Sequence, residues 1–269
     1  MIQEPRTECE ARALATPLQE RLQILFLGNS YNPFGVSCLL ALLRTRHDIM
    51  VGSHNPTTEG LWPLLKEAMK SRGPRFVFRK AAQLFRCQSR TTFRRMGFPL
   101  EDFASLPEIG LAHRLNEIPC TNPNGLDFLA QVRDLHPDLI VVAAFSYILK
   151  APLLAVPRMG CINVHPSLLP RYRGPNPFYW VLAEHQKKSG VTIHHINEGI
   201  DSGNIISQRE FKICPGDTES TLQAKAAVVA AELLQEVIPL LAAGTASCVP
   251  QNESEASYYP LPPKGASVL

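Results

Sequence analysis

The sequence predicts an α/β fold in which a doubly wound, mostly parallel sheet carries helices on both faces. Short apolar runs alternate with stretches of helical spacing, as in residues 23–27, 35–44 and 47–52. This alternation is typical of βαβ units, which build a parallel sheet. Residues 139–145 are apolar throughout, as expected of a central strand that is buried on both faces.

The first βαβ unit comprises a strand over 23–27, a helix over 35–44 and a strand over 47–52. The helix is predicted from the spacing of its apolar residues Val36, Leu39, Leu40 and Leu43. The turn between strand and helix begins Gly28-Asn29-Ser30 and lacks the G-x-G-x-x-G pattern. A dinucleotide-dependent dehydrogenase is therefore disfavoured, because that pattern allows the backbone to approach a pyrophosphate.

The rest of the chain continues the alternation. We predict a helix over 110–117, a strand over 118–120, an amphipathic helix over 126–135 and the strand over 139–145. A short connecting helix between Pro152 and Pro157 precedes a strand that carries Asn163. A helix over 176–184, strands over 191–196 and 205–213, and a helix over 217–241 that stops before Gly244 complete the prediction.

The composition is that of an ordinary globular protein, with 45% apolar and 19% charged residues. A net charge of +3 does not by itself indicate a nucleic-acid partner. The seven cysteines are far apart and include no C-x-x-C pair, which favours a reduced, cytoplasmic protein without a structural metal. The sequence contains no apolar run of transmembrane length, so we expect no membrane partner.

Residues 71–100 form a basic segment without a single acidic residue. Its eight cationic side chains are those of Arg72, Arg75, Arg79, Lys80, Arg86, Arg90, Arg94 and Arg95. Two interpretations are open. The segment is either a helix with a solvated basic face or a platform for a polyanion, such as tRNA or a nucleotide diphosphate sugar.

Three polar residues suit acyl transfer. Asn163 and His165 are two positions apart in a predicted strand, so their side chains share one face. Asp201 lies between Gly199 and Gly203, which predicts a tight turn. An amide donor, an imidazole and a carboxylate can together stabilise a tetrahedral intermediate and move its protons. No nucleophilic side chain is needed if the acceptor brings its own amine.

Several motifs resemble those of the N10-formyltetrahydrofolate-dependent formyltransferase family. They are Asn163-Val164-His165, Ser167-Leu168-Leu169-Pro170, Arg173-Gly174, Gly190-Val191-Thr192 and Glu198-Gly199-Ile200-Asp201-Ser202-Gly203. Among family members, the chain is most similar to methionyl-tRNA formyltransferase-like catalytic domains and to amino-sugar N-formyltransferases. The resemblance is dense from about residue 116 to 208 and looser at both ends.

The resemblance implies a Rossmann-like formyltransferase fold and 10-formyltetrahydrofolate as formyl donor, with no metal. It implies Asn163, His165 and Asp201 as catalytic residues, and Asp201 is expected to raise the pKa of His165. The donor-binding residues it implies are Ser146, Tyr147, Ile148, Leu149, Ser167, Leu168, Leu169, Pro170, Asn197, Gly199 and Ile200. Arg171 and Arg173 either hold an anion or brace their loop. Of His194 and His195, one is expected to line the crevice, without a metal.

The predicted organisation is an N-terminal extension over 1–20, a catalytic domain over 21–250 that contains the basic segment, and a short tail over 251–269. We expect no separate tRNA-binding barrel domain. The acceptor amine stays open between methionyl-tRNA, a nucleotide-linked amino sugar and another small amine. A hydrolase that releases formate from the same donor, and a non-catalytic binding module, are the alternatives.

Overall fold

The computed structural model describes residues 21–54, 105–263 and 266. The predicted extension over 1–20 and the basic segment over 71–100 lie outside these residues. The two interpretations of the basic segment therefore stay predictions. In the described ranges, no helix is long and apolar enough to cross a membrane.

Seven strands form one sheet in the order β3-β2-β1-β4-β5-β6-β7. The strands are β1 Gln23–Asn29, β2 Asp48–His54, β3 Asn116–Pro119, β4 Leu139–Ala143, β5 Cys161–His165, β6 Lys188–His195 and β7 Ile205–Lys212. The strands β1 to β5 are parallel to one another, whereas β6 pairs antiparallel with both β5 and β7. The predicted α/β fold with a mostly parallel sheet is confirmed.

The described residues contain six α-helices, of which five precede the last strand and one follows it. They are α1 Pro33–Leu42, α2 Leu106–His113, α3 Leu126–Leu135, α4 Ala151–Leu154, α5 Pro177–Ala183 and α6 Glu219–Ala242. The helix α6 begins at the capping residue Thr218 and is followed by Gly244 at φ 68°, as the sequence predicts.

The helix predicted over 110–117 was misplaced. Ser105 caps α2 from its N-terminal side by accepting a hydrogen bond from Glu108 N–H, so the helix starts at Leu106. It ends at His113 because Arg114 adopts a left-handed conformation, with φ 54°. Asn116 and the residue after it then pair with β2, so the third strand starts two residues earlier than predicted.

The core lies in two layers, one on each face of the sheet. Ile24 and Phe26 of β1 point into the layer that contains α1 and α6, whereas Leu25 and Leu27 point into the layer that contains α3. All five residues of β4 are buried, which confirms the predicted central strand. The strands β2 and β3 lie on one side of β1, and β4 and the later strands lie on the other. The order in which strands are added to the sheet therefore switches sides at β1, and the carboxyl ends of β1 and β4 leave a crevice between them.

Candidate active site

A cavity of about 710 Å³ opens at the carboxyl ends of β1, β4 and β5. Asn163 and His165 share one face of β5, as strand alternation predicts, and both line this cavity. β5 pairs antiparallel with β6, which places His194 directly opposite Asn163. His194 therefore joins the same face, and it is the member of the adjacent histidine pair that lines the crevice.

The carboxylate of Asp201 joins these residues from the turn after β6. Its Oδ1 accepts a hydrogen bond from Asn163 Nδ2 at 3.2 Å and lies 3.6 Å from His194 Nε2. Its Oδ2 accepts a hydrogen bond from Gly174 N–H at 2.9 Å and lies 3.6 Å from His165 Nδ1. The structure therefore brings the three predicted catalytic residues together around one carboxylate.

Neighbouring carbonyl groups fix the tautomers of both histidines. His165 Nε2 lies 2.9 Å from the carbonyl oxygen of Tyr172, and His194 Nδ1 lies 2.8 Å from that of His195. Both nitrogens carry a hydrogen, because a carbonyl oxygen can only accept. In the neutral rings, the unprotonated nitrogens are therefore Nδ1 of His165 and Nε2 of His194, and both face Asp201.

Burial lowers the pKa of His165 below its ordinary value of 6.5. The Asp201 carboxylate and the Tyr172 carbonyl act in the opposite direction, but they do not outweigh the desolvation of a ring that is only 5% exposed. The predicted contribution of Asp201, which raises the pKa of His165, is confirmed in direction, but burial outweighs it. The imidazole is neutral at neutral pH.

Asp201 is ionised in the same environment. Burial raises its pKa, but His165, His194 and the Gly174 N–H together outweigh burial and hold the pKa well below its ordinary value of 3.8. The carboxylate thus faces His165 Nδ1 and His194 Nε2, the two ring nitrogens that are not bound to carbonyl groups. This arrangement can take up one proton, which the carboxylate and an imidazole nitrogen would then share.

The amide of Asn163 is held in one orientation. Its Nδ2 donates to Asp201 Oδ1 and also lies 3.3 Å from the unprotonated Nε2 of His194. The opposite orientation would place the amide oxygen against the carboxylate, which is unfavourable. The orientation of the amide is therefore defined before any substrate binds, and donation to a substrate oxygen would replace one of these two contacts.

The predicted donor-binding residues divide into two groups. Seven line the cavity, namely Ser146, Tyr147, Ile148, Leu149, Asn197, Gly199 and Ile200. The other four, Ser167, Leu168, Leu169 and Pro170, are not among its lining residues. Their contacts run within the protein: Ser167 Oγ donates to the carbonyl of Arg171, and Leu169 N–H donates to Thr192 Oγ1. A donor-binding role for these four stays a prediction.

Arg173 braces its loop. Its guanidinium donates to the side-chain oxygens of Gln251 and Glu253, with distances from 2.7 to 3.1 Å, and the residue is 9% exposed. The sequence is compatible with two roles for Arg173, bracing of its loop and binding of an anion. The structure shows the bracing role. Gln251 and Glu253 are supplied from the predicted tail, about 80 residues further along the chain, so these partners had no local signal.

Sequence reasoning missed one side of the cavity. It is lined by Asn29, Asn32 and Phe34 around the start of α1, by Gln223 of α6, and by Tyr258 and Leu261. Asn29 ends β1 beside the crevice, so the rule that ligands bind at carboxyl ends of strands could have identified it. Within the described residues, neither lysine nor arginine lines the cavity, and no group of three His, Cys, Asp or Glu residues could hold a metal ion.

Comparison with known sequences gives the same family as the motifs. Residues 122–238 match the family described as formyl transferase. Over 158 residues the chain is 42% identical to a methionyl-tRNA formyltransferase of Syntrophus aciditrophicus, which covers 58% of this chain and 51% of that protein. A methionyl-tRNA formyltransferase of Clostridioides difficile is 40% identical over 149 residues, covering 54% and 48%. The chain thus spans about half the length of the curated relatives it matches.

Solved structures share the fold at low sequence identity. An N-formyltransferase from Helicobacter canadensis, in complex with folinic acid and dTDP-3-aminofucose, has a TM-score of 0.61 and 20% identity over 89% of this chain and 71% of that one. Phosphoribosylglycinamide formyltransferase from Bacillus halodurans has a TM-score of 0.57 and 17% identity over 82% and 93%. These similarities confirm the Rossmann-like formyltransferase fold.

Proposed function

We propose that this chain transfers a formyl group from 10-formyltetrahydrofolate to a primary amine, because residues 122–238 match the family described as formyl transferase. The observation that carries the proposal is the convergence of Asn163, His165 and His194 on the carboxylate of Asp201. All four residues lie within the matched segment and line one cavity.

In the proposed reaction the acceptor nitrogen attacks the formyl carbon. A bond forms between these two atoms, and negative charge develops on the formyl oxygen. Asn163 donates an N–H to that oxygen. The amine proton passes to Asp201, directly or through one water, and the carboxylate shares it with Nδ1 of His165. When the bond between the formyl carbon and the folate nitrogen breaks, this proton goes to the leaving nitrogen.

The donor is proposed to occupy the side of the cavity formed by Ser146–Leu149 and Asn197–Ile200. Ile148 and Ile200 are 61% and 41% exposed there, so a flat ring system would cover apolar surface on binding. The acceptor would then enter from the other side, beside Phe34, Phe178 and Tyr258.

For the acceptor, we propose an amine of the methionyl-tRNA type, which the curated relatives support by their names. A nucleotide-linked amino sugar is the second candidate, because the structure from Helicobacter canadensis contains dTDP-3-aminofucose. The phosphates of either acceptor need cations, and the described part of the cavity lining contains no lysine or arginine. The proposed source is the basic segment 71–100, which is also the proposed contact to nucleic acid.

We propose the cytoplasm as the compartment. Burial raises the pKa of the Cys120 and Cys161 thiols to about 12, so both behave as inert apolar side chains in a reducing environment.

The test is incubation with 10-formyltetrahydrofolate, with and without each candidate amine. A transferase forms the formylated amine and consumes donor only when the amine is present. Formate release at the same rate without any amine would instead establish the hydrolase, and donor binding without turnover would establish the binding module.

A further inference from the structure

Residues 251–261, which we name the C-terminal strap, lie against the loop that follows β5. Ser257 N–H donates to the carbonyl of Pro170, Arg173 N–H donates to the carbonyl of Ser257, and Tyr259 N–H donates to the carbonyl of Arg173. A side chain at Gly174 would collide with the main chain of Tyr259, so the contact requires glycine there. The strap is thus bound directly beside the residue whose N–H contacts Asp201.

One side chain of the strap reaches the turn that carries Asp201. Gln251 Nε2 donates to the main-chain carbonyl of Asp201 at 2.8 Å and to that of Gly203 at 2.7 Å. Gln251 Oε1 accepts from Nε and Nη2 of Arg173 at 3.1 and 2.8 Å. Two donated and two accepted hydrogen bonds use the full capacity of the amide, so its orientation is defined.

The turn needs such support because its backbone is strained. Asp201 has φ 48°, a left-handed conformation that costs free energy for residues other than glycine, although aspartate tolerates it better than most. This conformation directs the carboxylate toward Asn163, His165 and Gly174 N–H. A relaxed turn would move the carboxylate away from these groups.

We propose that Gln251 is a positioning residue for Asp201, acting from outside the cavity by holding the main chain of the catalytic turn. Gln251 is not among the residues that line the cavity. It also ties this turn to Arg173, whose main chain precedes Gly174. The amide of Gln251 therefore holds both the turn that carries Asp201 and the segment whose Gly174 N–H donates to the Asp201 carboxylate. The proposal rests on the proposed function only for the measurement of kcat, whereas the titration of His165 does not depend on it.

The first readout does not depend on turnover. The groups that face the His165 ring are the Asp201 carboxylate, the His194 ring and the Tyr172 carbonyl. Asp201 raises the pKa of His165, so displacement of the carboxylate must lower it further. Titration of His165 in the full chain, followed by NMR of the labelled imidazole, reports the position of Asp201 in the absence of any substrate.

The test variants are Gln251→Met and Gln251→Glu. Gln251→Met keeps the length of the side chain and removes all four hydrogen bonds. Gln251→Glu keeps an acceptor for Arg173 but loses both donors to the turn. The matched control is Glu253→Gln, which changes the other, largely exposed partner of Arg173 and leaves Gln251 intact.

We expect Gln251→Met to lower the pKa of His165, and we expect both Gln251 variants to reduce kcat by up to about 100-fold with donor affinity unchanged. Glu253→Gln should match the parent. In an Asp201→Asn background, Gln251→Met should not move the His165 titration further. An unchanged His165 titration in folded Gln251→Met, or full kcat in Gln251→Glu, would overturn the proposal.

The two proposals fail in distinguishable ways. If the parent transfers no formyl group to any amine, the proposed function is wrong, and the His165 titration still decides whether Gln251 positions Asp201. If the parent is active and Gln251→Met loses activity through unfolding, its thermal unfolding midpoint falls, and Gln251→Glu, which retains the contact to Arg173, then provides the test.

Discussion

Asp201 Oδ2 lies 3.6 Å from His165 Nδ1, and that nitrogen carries the lone pair because Nε2 is bound to the Tyr172 carbonyl. An ionised carboxylate therefore faces a neutral imidazole across a gap that one proton can fill. In the proposed reaction, this relationship makes Asp201 the first acceptor of a proton from the attacking amine, and it makes His165 the group that shares that proton.

Replacing Asp201 by asparagine tests this assignment. We expect Asp201→Asn to keep donor affinity and to lose at least about 100-fold in turnover, because the proton acceptor is removed while the shape of the side chain is kept. Single-turnover kinetics and donor titration measure the two quantities. Asp134→Asn, the same change at an exposed position, is the control. Turnover near that of the parent would exclude Asp201 from proton transfer.

Asn163 is expected to contribute mainly to the transition state. Asn163→Ala should reduce turnover by about 10²–10³ with a smaller change in donor affinity, because the oxyanion loses its donor. Steady-state kinetics with a donor-binding titration checks this, and Asn116→Ala on the exposed edge strand is the control. A loss confined to donor affinity would show that Asn163 only shapes the binding site.

The buried neutral state of His165 predicts a pH dependence of stability. The pKa of His165 is lowered from 6.5 in the folded protein, so the unfolded chain binds more protons once the pH falls below about 6.5. The free energy of unfolding should therefore decrease as the pH falls through 6.5, and the contribution of His165 to the pH dependence should fade well above that value.

The measurement is the free energy of unfolding of the parent and of His165→Gln from pH 7.5 to 5. We expect a shallower decrease on acidification in His165→Gln, and parent-like behaviour in His185→Gln at an exposed position. An equal slope in His165→Gln and the parent would mean that His165 titrates alike in both states. His47 and His195 also have lowered pKa values, so some decrease should remain.

The basic segment, outside the described residues, carries a separate prediction. If it binds tRNA, acceptor affinity should fall steeply with salt. For each tenfold rise in salt concentration, the affinity should fall by about 0.7–0.9 logarithmic units per phosphate contact. Replacing Arg90, Arg94 and Arg95 by glutamine should flatten this dependence without changing donor affinity, whereas Arg133→Gln, at an exposed position of α3, should not flatten it. A nucleotide sugar should give a shallow dependence. Parent-like binding of the triple variant at every salt concentration would leave the segment without an anion-binding role.

The strand pattern and the motifs predicted the local features of the site. Alternation placed Asn163 and His165 on one face, and the glycines around Asp201 indicated its turn. The pairing partner of β5 could not be read from the sequence, because the register that sets His194 opposite Asn163 forms between segments 31 residues apart. The lowering of the His165 pKa by burial could not be read from the sequence for a related reason, since burial depends on the whole fold.

The C-terminal strap shows the same limit. Residues after 250 are polar and rich in proline, so they were predicted as a short tail. Their backbone hydrogen bonds to the loop after β5, and the contacts of Gln251 with Arg173 and Asp201, join positions at least 50 residues apart. No local propensity encodes such pairs. The displaced start of α2 differs, because Ser105 followed three residues later by Glu108 is a local capping signal.

The most direct measurement follows an isotopically labelled formyl group from 10-formyltetrahydrofolate in the presence and absence of acceptor amine. We expect the label to appear in the amine product in equimolar amount to the tetrahydrofolate released, and we expect both products to be lost together in Asp201→Asn. Label recovered as formate at an unchanged rate without amine, or label remaining on the donor with every candidate amine, would contradict the account.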